Sequence, residues 1–247
     1  MTTTVDAFLG GKLSLEQPKD GYRAGVDPVL LAAATPAQPG DCVLDLGCGV
    51  GTAGLCLAAR VPVQVWGVDL DPSVVALAQA NAARNSRPMH ITQGDATARP
   101  TPFYDRSFDI VLTNPPFFVP QTGPVAQNKN RATGRAGDVD LAAWIATAYK
   151  RLRPRGRFVL IQRMDRLPDV LRACDGFGDV QVLPIAGRSG RAPDHFLLRA
   201  RKDAKAPFRM LPPLVMHKDP SQNGDGSTYT PNIEAVLRFG AALTWDD

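Results

Sequence analysis

From residue 42 to about 203, short apolar runs alternate with longer segments whose apolar residues recur every three or four positions. The runs at 42–46, 63–68 and 108–113 predict strands, and 90–93 predicts a weaker one. Another run, 157–162, follows Pro154-Arg155-Gly156, and the runs at 180–185 and 195–200 predict a closing antiparallel hairpin. Helical spacing is found at 52–60, ended by Pro62, and from Asp71-Pro72 through residue 81, where Asp serves as N-cap and Pro as the first helical residue. It returns at 139–152 and 167–174. Seven strands interleaved with helices predict an α/β fold: a mostly parallel seven-stranded sheet with helices on both faces and a C-terminal hairpin. Around this core, 41–203, lie a leader, 1–40, and an extension, 204–247. The extension is rich in Pro, Gly and polar residues until Thr230-Pro231, where a capped amphipathic helix runs to Gly240.

Two stretches at strand ends carry chemistry. After the first strand comes Gly47-Cys48-Gly49-Val50-Gly51, with Asp45 inside the strand. Glycines in a strand-to-helix turn allow backbone to approach a ligand closely at the helix N-terminus. A dinucleotide fingerprint needs G-x-G-x-x-G, and here Thr52 holds the last position. After the fourth strand comes Asn114-Pro115-Pro116-Phe117. An amide oxygen, a carbonyl on a residue lacking N–H, and an aromatic face form a compact grip for a planar group bearing an NH2. Ligands in open α/β sheets bind beyond the carboxyl ends of strands where the strand order reverses. The two stretches, about sixty residues apart, are therefore expected to share one crevice.

The glycine spacing resembles motif I of class I S-adenosylmethionine-dependent methyltransferases, which implies a Rossmann-like fold and S-adenosylmethionine as cofactor. On that resemblance the cofactor contacts are Asp45, Gly47, Cys48, Gly49 and Gly51, then Asp69 with Leu70 after the second strand, Asp95 with Ala96 after the third, and Asn114 after the fourth. Asp69 is assigned to the ribose, because Asp71 is already engaged as a helix N-cap. Asn114 and the Pro115 carbonyl would each accept one N–H of the acceptor amine, and Phe117 would stack on its ring. The leader, with Tyr22-Arg23-Ala24-Gly25-Val26-Asp27-Pro28, resembles that of the bacterial tRNA(Val) adenine-N6-methyltransferase family. That resemblance implies that Tyr22, Arg23 and Asp27 frame the methionine end of the cofactor and that the acceptor is an adenine beside an anticodon. Val26 stands where a hydroxyl residue is frequent in that family.

Composition and charge agree with an RNA partner. Net charge is +4, but residues 1–120 carry 8 Lys/Arg against 11 Asp/Glu, a net of −3, while residues 121–247 carry 20 against 13, a net of +7. Lys129, Arg131 and Arg135, in the long polar stretch after the Asn-Pro-Pro-Phe, are the candidate RNA contacts, ahead of the cluster Arg151, Arg153, Arg155 and Arg157, which also suits a solvated helix end. Four cysteines without C-x-x-C spacing or a nearby histidine pair give no metal site, and unpaired cysteines suit a reducing compartment. With no apolar run of membrane-spanning length and no signal-like N-terminus, the expected location is cytoplasmic. Asn-Pro-Pro-aromatic motifs also resemble those of enzymes that methylate guanine N2, DNA adenine or a glutamine amide, and the motif alone leaves those acceptors open. Of two other classes, a nicotinamide-dependent oxidoreductase is disfavoured by the missing third glycine and the lack of a catalytic Tyr-Lys or His-Asp pattern, and a non-catalytic RNA-binding protein by the intact Asn114 and glycine turn.

Overall fold

The computed structural model describes residues 2–21, 23–98, 103–116, 140–219 and 228–245. Its centre is a sheet of strands β3 (Cys42–Leu46), β4 (Gln64–Asp69), β5 (Met89–Gln93), β6 (Phe108–Thr113), β7 (Leu152–Arg163), β8 (Phe177–Ala186) and β9 (His195–Lys202). Across the sheet these run β8-β9-β7-β6-β3-β4-β5. The pairs from β7 through β6, β3 and β4 to β5 are parallel, and β9 is antiparallel to both β7 and β8. Strand order reverses between β3 and β6, as expected of a doubly wound sheet. Two short strands, β10 (Arg209–Met210) and β11 (Leu214–Val215), add to the outer edge of β8, making the sheet nine-stranded rather than seven-stranded.

Helices α1 (Asp27–Ala34), α2 (Thr52–Arg60), α3 (Pro72–Arg84), α4 (Leu141–Arg151), α5 (Leu167–Ala173) and α6 (Pro231–Phe239) complete the fold. Strand residues alternate between two apolar layers. Val43, Ile110, Leu112, Val159 and Ile161 face α1, α2, α3 and α6. Leu44, Leu46, Val68, Val111 and Leu160 face α4 and α5. Each face is thereby buried by a different set of helices.

The leader contains structure that its sequence pattern does not announce. Strands β1 (Thr3–Phe8) and β2 (Leu13–Pro18) form an antiparallel hairpin that packs on α3. Asn81 Oδ1 accepts the Glu16 N–H at 2.7 Å, and Asn81 Nδ2 donates to Glu16 O at 3.0 Å. Asn85 repeats the pattern with Ser14, at 2.9 Å for both bonds. Four residues of helix advance about 6 Å and two residues of strand about 6.7 Å, so two asparagines one helical turn apart can pair with the open edge of a strand. Asn81 Nδ2 also donates to Val50 O at 3.1 Å, tying the hairpin to the glycine turn.

The extension closes on the leader. Leu243 N–H donates to Ala33 O, Lys12 Nζ donates to Phe239 O, and Leu9, Ile233 and Val236 share one apolar layer. Arg60 donates to Ala32 O and Thr35 O, and Arg199 to Ala34 O, so two guanidiniums cap the C-terminal carbonyls of the buried α1.

Several boundaries move from the sequence pattern. Helix α3 runs to Arg84, three residues past the expected end, because Ala82 to Arg84 are good helix formers with nothing to stop them before Asn85. Strand β7 starts at Leu152 rather than 157. It pairs Phe108 with Leu152 and Ile110 with Arg157, and the intervening Pro154-Arg155-Gly156 bulges out, with Arg155 at φ 63°.

Candidate functional site

The sheet register fixes the site. Leu46 of β3 pairs with Thr113 of β6, so the next residues, Gly47 and Asn114, leave adjacent strand tips side by side. The hydroxyl of Thr113 donates to Leu46 O at 2.6 Å, cross-linking the two strands where the backbone ladder ends. Trp144 Nε1–H, from α4, donates to Thr113 Oγ1 at 2.7 Å.

The glycine turn is shaped on its inner side. The N–H groups of Gly47 and Cys48 both donate to Val68 O, at 2.9 and 3.0 Å, and Gly51 N–H donates to Cys48 O at 2.9 Å. Gly47 has φ 75°, and a Cβ there would lie 2.8 Å from the Trp144 ring, so glycine is required twice over. Gly49, at φ 55°, has open space where its side chain would be. Gly47 and Gly49 are half-buried, while Cys48, Val50 and Gly51 are buried ahead of α2.

Asp69 and Asp45 take different parts. Asp69 Oδ2 accepts the Gly49 N–H at 2.9 Å and Oδ1 accepts the Asp71 N–H at 3.2 Å. Each carboxylate oxygen keeps a lone pair for another donor. Partial burial raises the Asp69 carboxyl above its ordinary range, opposed by those N–H groups. Asp71, as expected, accepts from Ser73 N and caps α3. Asp45 is 2% exposed and accepts the Gly54 N–H at 3.0 Å from inside the first turn of α2. Burial pushes its carboxyl up to about 7. Its role here is to hold α2 against β3 from below the turn. Cys48 is buried, its thiol pushed well above the ordinary value by burial, and it packs against Gly67.

Beyond β5, Asp95 Oδ1 accepts from Thr97 N, Thr97 Oγ1 and Ala98 N, and these bonds hold the carboxyl below its usual range. The carboxylate therefore shapes its own turn, leaving Oδ2 for an outside donor. Ala96 is buried beside it, and Leu70, 64% exposed, stands just past Asp69.

On the acceptor side, Asn114 is half-buried and Pro115 buried. Gln162, 1% exposed at the end of β7, brings Nε2 within 3.5 Å of Pro115 O, while its Oε1 accepts the Arg163 N–H at 2.9 Å. The long contact steadies the Pro115 carbonyl and leaves a lone pair for a shorter partner.

The leader residues divide. Arg23 is committed to its own hairpin, donating to Thr4 Oγ1, Pro18 O and Asp6 Oδ2 and pairing with Asp6 at 2.5 Å. Gln17, 2% exposed, holds the same loop by accepting the Ala24 N–H at 2.8 Å and donating to Asp6. Asp27 heads α1, where burial raises its carboxyl against the opposing field of His195. Tyr22, Phe117, Lys129, Arg131 and Arg135 lie outside the described residues. The arginines at 151–157 sit at the far end of the sheet from Thr113, and most are engaged there. Arg151 donates to Phe103 O and Tyr104 O, Arg153 pairs with Asp109 at 2.6 Å, and Arg157 donates to Pro36 O.

Trp144, Gln162 and Asn81 were not marked by the sequence pattern. Trp144 stands beside the apolar stripe Leu141, Ile145, Ala148 and reads as core. Gln162 offered one weak signal, a polar residue ending an apolar strand at the ligand end of the sheet. Among the described residues, no group of three or more His, Cys, Asp or Glu side chains could hold a metal ion, and no helix is long and apolar enough to cross a membrane.

A glycine turn ahead of a helix, flanked by a carboxylate with free lone pairs, suits S-adenosylmethionine. Residues 25–187 match the model of the methyltransferase small domain family. A tRNA1(Val) (adenine(37)-N6)-methyltransferase from Porphyromonas gingivalis is 33% identical over 67% of this chain and 68% of its own length. One of the same name from Tolumonas auensis is 27% identical over 83% and 87%. Among solved structures, a predicted O-methyltransferase from Agrobacterium tumefaciens shares the fold, with a TM-score of 0.71, 24% identity and coverage of 88% and 98%. The 16S rRNA N2 G1207 methyltransferase of Thermus thermophilus, solved with AdoMet and guanosine, has a TM-score of 0.59 and 25% identity, covering 81% of this chain and 50% of that one. The chain belongs to the methyltransferase small domain family, among the bacterial tRNA1(Val) (adenine(37)-N6)-methyltransferases.

Proposed function

We propose that this protein transfers a methyl group from S-adenosylmethionine to the exocyclic N6 of an adenine in tRNA, the one beside the anticodon of tRNA-Val. The observation that carries the reading is the pairing of Leu46 with Thr113, which brings the glycine turn and Asn114-Pro115 to neighbouring strand tips. Relatives bearing the tRNA name supply the substrate class.

When bound, the cofactor supplies an electrophilic methyl group on a sulfonium. The chain's own residues do the rest by placement. Asn114 Oδ1 and the Pro115 carbonyl each accept one N–H of the adenine amine, which favours a pyramidal nitrogen and turns its lone pair toward the methyl. Reacting atoms held about 3–3.5 Å apart react as an intramolecular pair. The amine proton is shed to water after attack, so no histidine is needed as base. Phe117 stacks on the ring, and a base next to an anticodon can leave its loop to reach such a pocket. Gly47, Cys48, Gly49 and Gly51 cradle the cofactor, Asp69 receives the ribose hydroxyls, and Leu70, Asp95 and Ala96 bound the adenine. Tyr22 and Asp27 border the methionine end, with Arg23 anchoring their segment. Lys129, Arg131 and Arg135 take RNA phosphates. Four free cysteines support a cytoplasmic setting.

The test is methylation of unmodified total tRNA, ribosomal RNA and a release factor with labelled cofactor. N6-methyladenosine in tRNA-Val is the expected product. Label confined to ribosomal RNA or the release factor would replace the acceptor.

A further inference from the structure

We infer that Trp144 is a positioning residue that sets the spacing between the cofactor turn and the acceptor turn; the inference rests on the methyl-transfer reading above. Two independent contacts carry it. The indole Nε1–H donates to Thr113 Oγ1 at 2.7 Å, and the Thr113 hydroxyl donates onward to Leu46 O at 2.6 Å. The six-membered ring of the same indole lies against Gly47, so close that a Cβ there would meet Trp144 Cζ2 at 2.8 Å. One side chain therefore touches the residue that follows Leu46 and is bonded to the residue that precedes Asn114.

The direction of the bonds matters. Thr113 uses its oxygen as acceptor for the indole and its hydrogen as donor to the carbonyl, so the hydroxyl links the other two groups through both of its capacities. The bridge lies at the last paired residues of β3 and β6, Leu46 and Thr113, where the backbone ladder ends. Trp144 is itself held there: Asp140 caps α4 by accepting the Ala143 N–H at 3.1 Å and, through its carbonyl, the Trp144 N–H at 3.0 Å. Leu141, Ile145 and Ala148 bury the helix on the sheet. The indole is thus a strut from a packed helix to both halves of the crevice. An error of about 1 Å between reacting atoms costs about a hundredfold in rate, so a strut at this point acts on turnover more than on binding.

The test is a double-mutant cycle on the full chain with Trp144→Phe, which keeps a ring but loses the N–H, and Thr113→Val, which keeps shape but loses the hydroxyl. Each is expected to lower kcat about tenfold, with KM for S-adenosylmethionine within about twofold of wild type. The double variant is expected to lose less than the product of the two single losses, because Thr113→Val has already broken both hydrogen bonds and Trp144→Phe then changes only the ring's contact with Gly47. Unchanged kcat in both single variants, losses that multiply, or a loss expressed in KM instead would overturn the inference. The cofactor titration of intrinsic fluorescence provides a reading that needs no RNA. S-adenosylmethionine should change the emission of wild type, and Trp144→Phe should remove that change while Trp66 and Trp245 remain. A wild type that binds cofactor with this signal but methylates no tRNA would count against the acceptor assignment and still support the strut. A signal that survives in Trp144→Phe would count against the strut alone.

Discussion

Gly49 and Asp69, twenty residues apart, are clasped at 2.9 Å by the bond from the glycine N–H to Asp69 Oδ2. The carboxylate proposed for the ribose is also the latch of the cofactor turn, and its other oxygen receives the Asp71 N–H. Asp69→Asn offers only one acceptor oxygen to two N–H groups and turns an amide donor toward one of them. The affinity for S-adenosylmethionine, measured by calorimetry, is expected to fall at least about tenfold, a loss of roughly 1.4 kcal/mol. Wild-type affinity in that variant would remove Asp69 from the site.

Asn81 is fully buried and makes three bonds, to Glu16 N, Glu16 O and Val50 O. Asn81→Ala leaves these backbone groups without partners, at an expected cost of about 2–4 kcal/mol in urea unfolding. Asn85, which is partly exposed, should cost less when replaced by Ala, about 1–2 kcal/mol. Equal small losses at both positions would show that the hairpin docks by its apolar residues alone.

Asp45 gives a pH signature. Its folded carboxyl titrates at about 7, against 3.8 for an ordinary aspartate, because burial disfavours the charge. Between these values the folded chain holds a proton that the unfolded chain has released. Raising the pH through this window therefore favours unfolding, and the contribution levels off above 7. Asp45→Asn removes the titration and keeps an oxygen for the Gly54 N–H. The stability of the variant relative to wild type should rise with pH across the window, by at most about 1.4 kcal/mol per pH unit. Parallel stability curves at pH 5, 6, 7 and 8 would contradict a raised Asp45.

What could be read in advance followed from periodicity and from backbone demands. Strands β3 and β6 are mostly apolar, interrupted only by Asp45, Asp109 and the closing Thr113, because both faces of the sheet are covered, and the glycine turn shows itself because only glycine fits beneath Trp144. The hairpin β1–β2 escaped because its edge is satisfied by Asn81 and Asn85, which look like ordinary helix surface in a linear sequence. Arg23, expected at the ligand, pairs with Asp6, seventeen residues earlier, a pairing visible only once the hairpin forms. Asp45, expected at the cofactor from its place in motif I, has a bond from the Gly54 N–H under α2 that the linear pattern did not show. Long-range partners of polar side chains were the part that local pattern could not supply.

The most direct test of the shared crevice is nucleoside mass spectrometry of unmodified tRNA-Val treated with labelled S-adenosylmethionine and either wild type or Asn114→Ala. Wild type should yield labelled N6-methyladenosine, and the variant should yield none while binding the cofactor about as tightly. Label on another nucleoside, or full N6-methylation by Asn114→Ala, would contradict the account.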